Sequence, residues 1–273
     1  MNTLTESAEA SAARPSFWQA LAVQRRVVWA LLMREVITRF GRDNLGVLWL
    51  IGEPMIFTLG VATLWTAADL NHGSRLPIVA FAITGYSSVL LWRNTVSRCN
   101  SGIQQNINLL YHRNVRVIDV FITRIILEMS GATASFIVLA SVFIAFEWMQ
   151  LPSDPLRVFA AWFMLAWFGA ALAITMGAAS AYSELVDRLW HPTSYLLFPL
   201  SGAAFMVEWL PTAAQPVVLA LPMVHGVEML RDGYFGGVVP THYDMGYMAA
   251  CNGVLTLTGL LLLRDAARRV GIK

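Results

Sequence analysis

Lysine is nearly missing from this chain of 273 residues: the one lysine is Lys273, its last residue. A G-x-x-x-x-G-K-[ST] loop needs a lysine on the phosphates ahead of a helix, so no such loop exists and the chain does not hydrolyse ATP by itself. Cysteine is almost as scarce. Cys99 and Cys251 supply neither a disulfide framework nor a cysteine zinc site, and both are expected as free thiols. Charge is short too: Asp, Glu, Lys and Arg make up 13%, against about 25% in ordinary soluble domains. With 57% hydrophobic residues and a mean hydropathy of +0.58, the chain lacks the polar groups to cover a water-facing surface. It is therefore an integral membrane protein. A net charge of +2 leaves no basic footprint for nucleic acid.

Catalytic signatures are absent as well. There is no H-E-x-x-H helix and no G-x-S-x-G turn. His72, His112, His191, His225 and His242 are scattered, and Asp69, Asp119, Asp154, Asp187 and Asp244 lie too far apart to promise a metal cluster. Neither a catalytic residue nor a metal site is expected in this chain.

What is present is a succession of apolar helical patterns, so an all-α fold is expected. Residues 1–16 are a polar tail without an apolar run, which is no secretory signal, and insertion is expected to rely on internal spans. Residues 17–44 form an amphipathic helix and the turn that ends it. Trp18, Ala22, Trp29, Met33, Val36 and Phe40 share one face; Gln24, Arg34, Glu35, Thr38, Arg39 and Arg42 lie opposite. Such a helix is expected in the interface plane, with its aromatics among acyl chains and its arginines at the headgroups. A six-helix transmembrane domain over 45–263 follows, with spans near 46–68, 77–95, 119–147, 156–180, 193–211 and 245–263, each close to the ~20 residues a bilayer requires. Residues 264–273 form a second tail. The third span is the least regular, because its first turns carry Asp119, Arg124 and Glu128. Of the nineteen basic residues, sixteen fall on one side of this arrangement and only Arg75, Arg157 and Arg231 on the other. The positive-inside rule then puts both termini in the cytoplasm.

Several features carry chemistry. Glu53-Pro54, about 10 Å into the first span, is either a polar contact in a transport path beside a weakened turn or a headgroup-level partner of Arg42. The 93–116 connection is polar and amide-rich, with Ile103, Ile107 and Leu110 spaced as one face of a short helix that can dock a soluble partner. The 181–192 segment is a second short charged helix, closed by Pro192. The 208–244 stretch is too broken by prolines for a seventh span and is expected to dip into the outer leaflet as re-entrant helices. Within it His225, Glu228, Arg231 and Asp232 fall at spacings of three, three and one, and are expected to line an exit or to hold two protomers together. Trp49, Trp65, Trp92, Trp148 and Trp209 are expected in an interfacial belt.

Two stretches are more specific. ALLMREVITRFGRDNLGVLWLIGEP, from Ala30 to Pro54, resembles the start of the transmembrane domain in ABC-2 type permeases that export capsular polysaccharide, and LPMVHGVEMLRDGYF, from Leu221 to Phe235, resembles the segment before their last span. WRNTVSRCNSGIQQNINLLYHRNVRVIDVFITR is similar to their cytoplasmic loop and third-span start. The resemblance covers the chain from Phe17 onward. It implies a homodimer in a Gram-negative inner membrane, working with two ATP-binding cassette subunits that hold the ATP and Mg. It also implies a lipid-linked acidic polysaccharide as substrate, with a periplasmic co-polymerase and outer-membrane export proteins as further partners. By the resemblance the amphipathic helix is a gate beside the ATPase, so Arg34, Arg39, Arg42, Trp49 and Glu53 mark the substrate's way in. His225, Glu228, Arg231, Asp232 and Tyr234 belong to the exit segment. Coupling to the ATPase falls to Asn100, Gln104, Ile107, Asn108, Leu110 and Tyr111 and to Glu184, Asp187 and Arg188. Alternatives are a sister permease for O-antigen or teichoic acid, a membrane scaffold that anchors a partner complex, and a membrane glycosyltransferase.

Overall fold

Apolar runs of twenty residues have no water to satisfy their peptide groups inside a bilayer, so the backbone closes its hydrogen bonds internally as helix. The computed structural model describes residues 16–40, 48–68, 76–110 and 115–269, and among these there are helices and turns but no strand. In chain order they are α1 (Phe17–Phe40), α2 (Leu48–Ala67), α3 (Ile78–Cys99), the single turns α4 (Gly102–Gln105) and α5 (Ile107–Leu110), and α6 (Val117–Ala145). Then follow α7 (Pro155–Ser180), α8 (Glu184–Leu200), a 3-10 turn at Val207–Trp209, α9 (Gln215–Leu219), α10 (Pro222–Phe235) and α11 (Met245–Arg269). Four of the described helices are long and apolar enough to cross a membrane: α2, α6, α7 and α11.

The centre of the bundle is α3 against α7. Every residue of α3 from Ala80 to Trp92 is buried, although the helix carries Thr84, Ser87 and Ser88. Burial is tolerated because the hydroxyls bond back into their own helix: Thr84 donates to the Ala80 carbonyl at 2.8 Å, Ser88 to Gly85 at 2.6 Å and Thr95 to Leu91 at 2.6 Å. Close contact needs a small residue. A Cβ on Gly169 of α7 would come within 2.9 Å of the Trp92 Cα, so glycine there lets the two helix backbones meet. Trp92 itself has no exposed surface and sits edge-on to Phe168. It is a core residue, which corrects its placement in the interfacial belt; the matched cavity against α7 outweighs the aromatic's preference for an interface.

Helices stand where five of the six apolar segments were expected. The fifth differs. Instead of a short helix ending at Pro192 and a separate segment over 193–211, α8 runs unbroken from Glu184 through Pro192 and Pro199 to Leu200. Its start is set by Ser183, whose side chain accepts from the Leu185 N–H, with Glu184 and Asp187 in the first turn complementing the helix dipole. A proline removes one hydrogen bond but fits helical φ, so the established helix carries through. It stops beside Gly202, where φ of +82° takes the chain out of the helix. Prolines also explain the pieces that follow: Pro216 lies in the first turn of α9 and Pro222 opens α10, positions where the missing N–H costs nothing.

Candidate functional site

Polar side chains gather at the two ends of the bundle. At the end where α3 finishes and α6 begins, α3 and α8 run antiparallel. Asn100 donates to Asp187 at 2.7 Å, the Trp190 indole to Ser97 at 2.9 Å, and the Arg93 guanidinium lies 4.4 Å from the centre of the Tyr195 ring. The chain then turns sharply. Ser101 takes the left-handed conformation (φ 50°), held by its N–H to the Ser180 hydroxyl, while the Gln104 amide donates to the Ser180 carbonyl. Asn106 interrupts the next helix, so α4 and α5 are separate turns rather than one.

That break corrects the expected apolar face. Ile103 and Leu110 are buried, at 3% and 2% exposure, and only Ile107 stands out at 39%. Gln104 and Asn108 are exposed beside it, and across on α8 so are Glu184, Leu185, Arg188 and Leu189, with Arg188 paired to Glu184 at 3.2 Å. Asn100 is buried and Asp187 half-buried; they join the turn to α8 rather than face outward. Tyr111 and Arg42 lie outside the described residues, as does the side chain of Arg39.

The polar face of α1 is also corrected. Among its described side chains, Gln24, Arg34 and Glu35 have partners in the protein, at the start of α6 and in the α4–α5 turns. Gln24 donates to Asp119 at 2.8 Å, Arg34 to Asn106 at 3.2 Å, and Glu35 pairs with Arg124 at 3.7 Å. Leu31 is buried between them, while Trp18 and Trp29 point away and are largely exposed. A polar face finds stronger partners in fixed protein charges than in mobile headgroups. Arg98 connects α2 to α6, pairing with Glu128 at 3.6 Å and Glu53 at 4.0 Å. Arg124 and Glu128, one helical turn apart, thus each take a partner from another helix. Trp49 is partly exposed on the outer side of α2.

At the other end, α10 is the organising element. Arg231 has no exposed surface; it donates to the carbonyls of Gly202, Phe205 and Ala203 at 2.6, 2.6 and 2.5 Å and lies 3.7 Å over the Phe81 ring. Gly85 makes room for it, since a Cβ there would stand 2.3 Å from the Ala203 oxygen and 2.6 Å from Arg231 Nη2. Glu228, equally buried, accepts from the backbone N–H groups of Val207 and His242. His225 accepts from the Asp244 N–H through Nδ1, which leaves Nε2–H to donate to the Leu219 carbonyl at 2.8 Å. Asp232 takes Arg157 at 2.5 Å and the Tyr243 hydroxyl at 2.9 Å. Burial and then that hydrogen bond lift the Tyr243 hydroxyl above the ordinary phenol range. Tyr234 donates to the Gln150 carbonyl. Glu228 and Arg231 therefore do not line an exit: their partners lie inside the same chain, where they hold α10 to the loops around it. The partners were missed in the sequence because most are backbone atoms, which leave no residue signature. Arg157 carried only a charge-count signal, as a cation on the sparsely charged side.

Several apolar helices of membrane length, with a charged network at one end of the bundle and a carbonyl-capped arginine at the other, define a multi-helix membrane protein. The chain belongs to the ABC-2 type transporter family, which it matches over residues 26–235. It is 44% identical, over 257 residues covering 94% of this chain and 97% of the relative, to the capsule polysaccharide export inner-membrane protein CtrC of Neisseria meningitidis serogroup B. To the capsule polysaccharide export inner-membrane protein BexB of Haemophilus influenzae it is 40% identical over 255 residues, 93% of this chain and 96% of the relative. The polysialic acid transport protein KpsM of Escherichia coli is more distant, 28% identical over 89% of this chain and 94% of the relative. Membership of the family makes the chain a transporter membrane subunit rather than an enzyme.

Proposed function

We propose that the chain is the permease of an ABC exporter that moves a lipid-linked acidic capsular polysaccharide out across a Gram-negative inner membrane. The observation that carries this reading is a match along nearly the whole length of relatives named for capsule polysaccharide export. The permease works as a homodimer with two ATP-binding subunits, which hold the ATP and Mg, and hands its substrate to a periplasmic co-polymerase and outer-membrane export proteins. Six spans cross the membrane, α3 and α8 joining the four most apolar helices, and both termini face the cytoplasm. The 208–244 stretch, with α9 and α10, re-enters the outer leaflet.

The ATP-binding subunit meets the exposed surface made by Gln104, Ile107 and Asn108 with Glu184, Leu185 and Arg188. α1 stands beside it as the gate, with Arg34 and the Glu53–Arg98–Glu128 chain at the substrate's way in. Deeper, Arg93 rests on the exposed Tyr195 ring. A cation beside an aromatic face suits a sugar chain bearing carboxylate or phosphate, since one binds the charge and the other the C–H surface of the ring. Co-purification with the ATP-binding subunit in a 2:2 complex tests the assembly. Orientation has its own test. With Cys251 replaced by serine, Val238→Cys, exposed in the loop after α10, is expected to react with an impermeant thiol reagent in cells whose outer membrane is permeabilised. Labelling only after lysis of the inner membrane would invert the topology.

A further inference from the structure

Among the contacts at the α1 end, Arg124 stands apart because one guanidinium ties three elements. It donates through Nη1 to the Arg98 carbonyl at the end of α3 (2.6 Å) and through Nη2 to Gln105 of α4 (2.8 Å), while Nε lies 3.7 Å from Glu35 of α1. The side chain is 7% exposed. α1 packs mainly on α6, most of its described residues are exposed, and among the described residues its polar ties include, besides Glu35, Gln24 to Asp119 and Arg34 to Asn106. Two of these three ties reach the α4–α5 turns, directly at Asn106 or through Arg124 at Gln105. A small cleft between α1 and the turns has a mixed lining, with Leu31, Leu109 and Val120 beside Arg34, Glu35 and Arg124, so side-chain links run beside apolar contacts there.

We propose that Arg124 is the positioning residue that transmits displacement of the α4–α5 turns to α1, so that docking or ATP-driven motion of the partner reaches the gate. The inference rests on the reading above that these turns meet the ATP-binding subunit. A guanidinium fork is suited to the task. Its two charged hydrogen bonds, to the Arg98 carbonyl and to Gln105, are directional in a site shielded from water, and the ion pair with Glu35 carries the link on to α1. An apolar contact would slide where this link pulls.

The test uses the complete complex with its ATP-binding subunit in lipid vesicles, reading polysaccharide exported per ATP hydrolysed. Arg124→Lys keeps the charge but loses the fork, and Glu35→Gln weakens the tie to α1. Each is expected to lower the ratio about tenfold, within the range of ordinary coupling energies, while assembly and thermal stability hold. Because both cut one link, the double variant is expected to be no worse than the lower single variant. Gln24→Leu, which loosens α1 without touching the turns, is expected to leave the ratio near the parent's. An intact complex in which Arg124→Lys and Glu35→Gln stay within about twofold of the parent overturns the inference and leaves the docking reading standing. So does an equal loss in Gln24→Leu, which would make seating of α1 the only requirement. Failure of the parent chain to assemble with the subunit is instead a failure of the docking reading itself.

Discussion

Arg231→Leu is expected to abolish accumulation of the folded protein. The substitution strips the carbonyls of Gly202, Ala203 and Phe205 of their charged donor and removes the positive charge near buried Glu228, which keeps only its two backbone donors. Removing one partner from such a buried charged group costs about 3–5 kcal/mol, with the stranded carbonyls adding to it. Net stabilities of about 5–15 kcal/mol leave little in reserve. Gly85→Ala attacks the same joint sterically, by pushing a methyl group into the Ala203 carbonyl and the guanidinium. It is expected to cost about 1–3 kcal/mol, as overpacking does. Thermal unfolding in detergent, read by size-exclusion fluorescence, is the measurement. Arg188→Leu, whose side chain is 77% exposed, serves as the control and is expected to melt like the parent. A monodisperse Arg231→Leu protein melting within about 2 °C of the parent would show that the carbonyl cage is dispensable.

Ile107→Asp is expected to release the ATP-binding subunit. Ile107 is the exposed apolar side chain of the α4–α5 turns, and Leu185 and Leu189 are exposed apolar side chains at the start of α8. Loss of a central apolar anchor costs about 2 kcal/mol or more, roughly thirtyfold in affinity. A neighbouring position provides the contrast. Leu110→Ala lies three residues away but is buried, so it is expected to destabilise the fold by about 2–4 kcal/mol as a core truncation, with docking intact in whatever protein remains folded. Affinity of the subunit for immobilised permease separates the two effects. Parent-like affinity in Ile107→Asp would remove the α4–α5 turns from the docking surface.

These contrasts also mark how far the sequence could be followed. α2, α6, α7 and α11 were legible because length and apolarity are local properties of each segment, and α3 because its flanking loops are polar. In α8 the local breaker signal of Pro192 competes with the Ser183 cap that starts the helix, so the sequence pattern alone does not show one continuous helix. The sharp turn into α4 has Ser101 in a left-handed backbone against Ser180, a contact between distant segments that no spacing encodes. Residue spacing along α1 sets polar positions such as Gln24, Arg34 and Glu35 apart from the tryptophans, yet spacing does not say whether lipid or protein meets them. Glu35 and Arg124, or Arg157 and Asp232, meet only once the bundle has formed. The site residues of α10 were visible by type and spacing, whereas their role was not, because the atoms that Arg231 and Glu228 bind are peptide groups.

The central claim is that an ATP-driven partner works this chain as an exporter of an acidic glycan. The most direct measurement is ATP hydrolysis by the chain purified with its ATP-binding subunit in lipid nanodiscs, with and without the lipid-linked acidic polysaccharide. Hydrolysis that rises when the glycan is present, and rises less when the lipid carries a neutral glycan, is the predicted result. A stable complex whose hydrolysis ignores both glycans, or a chain that forms no complex at all, would contradict it.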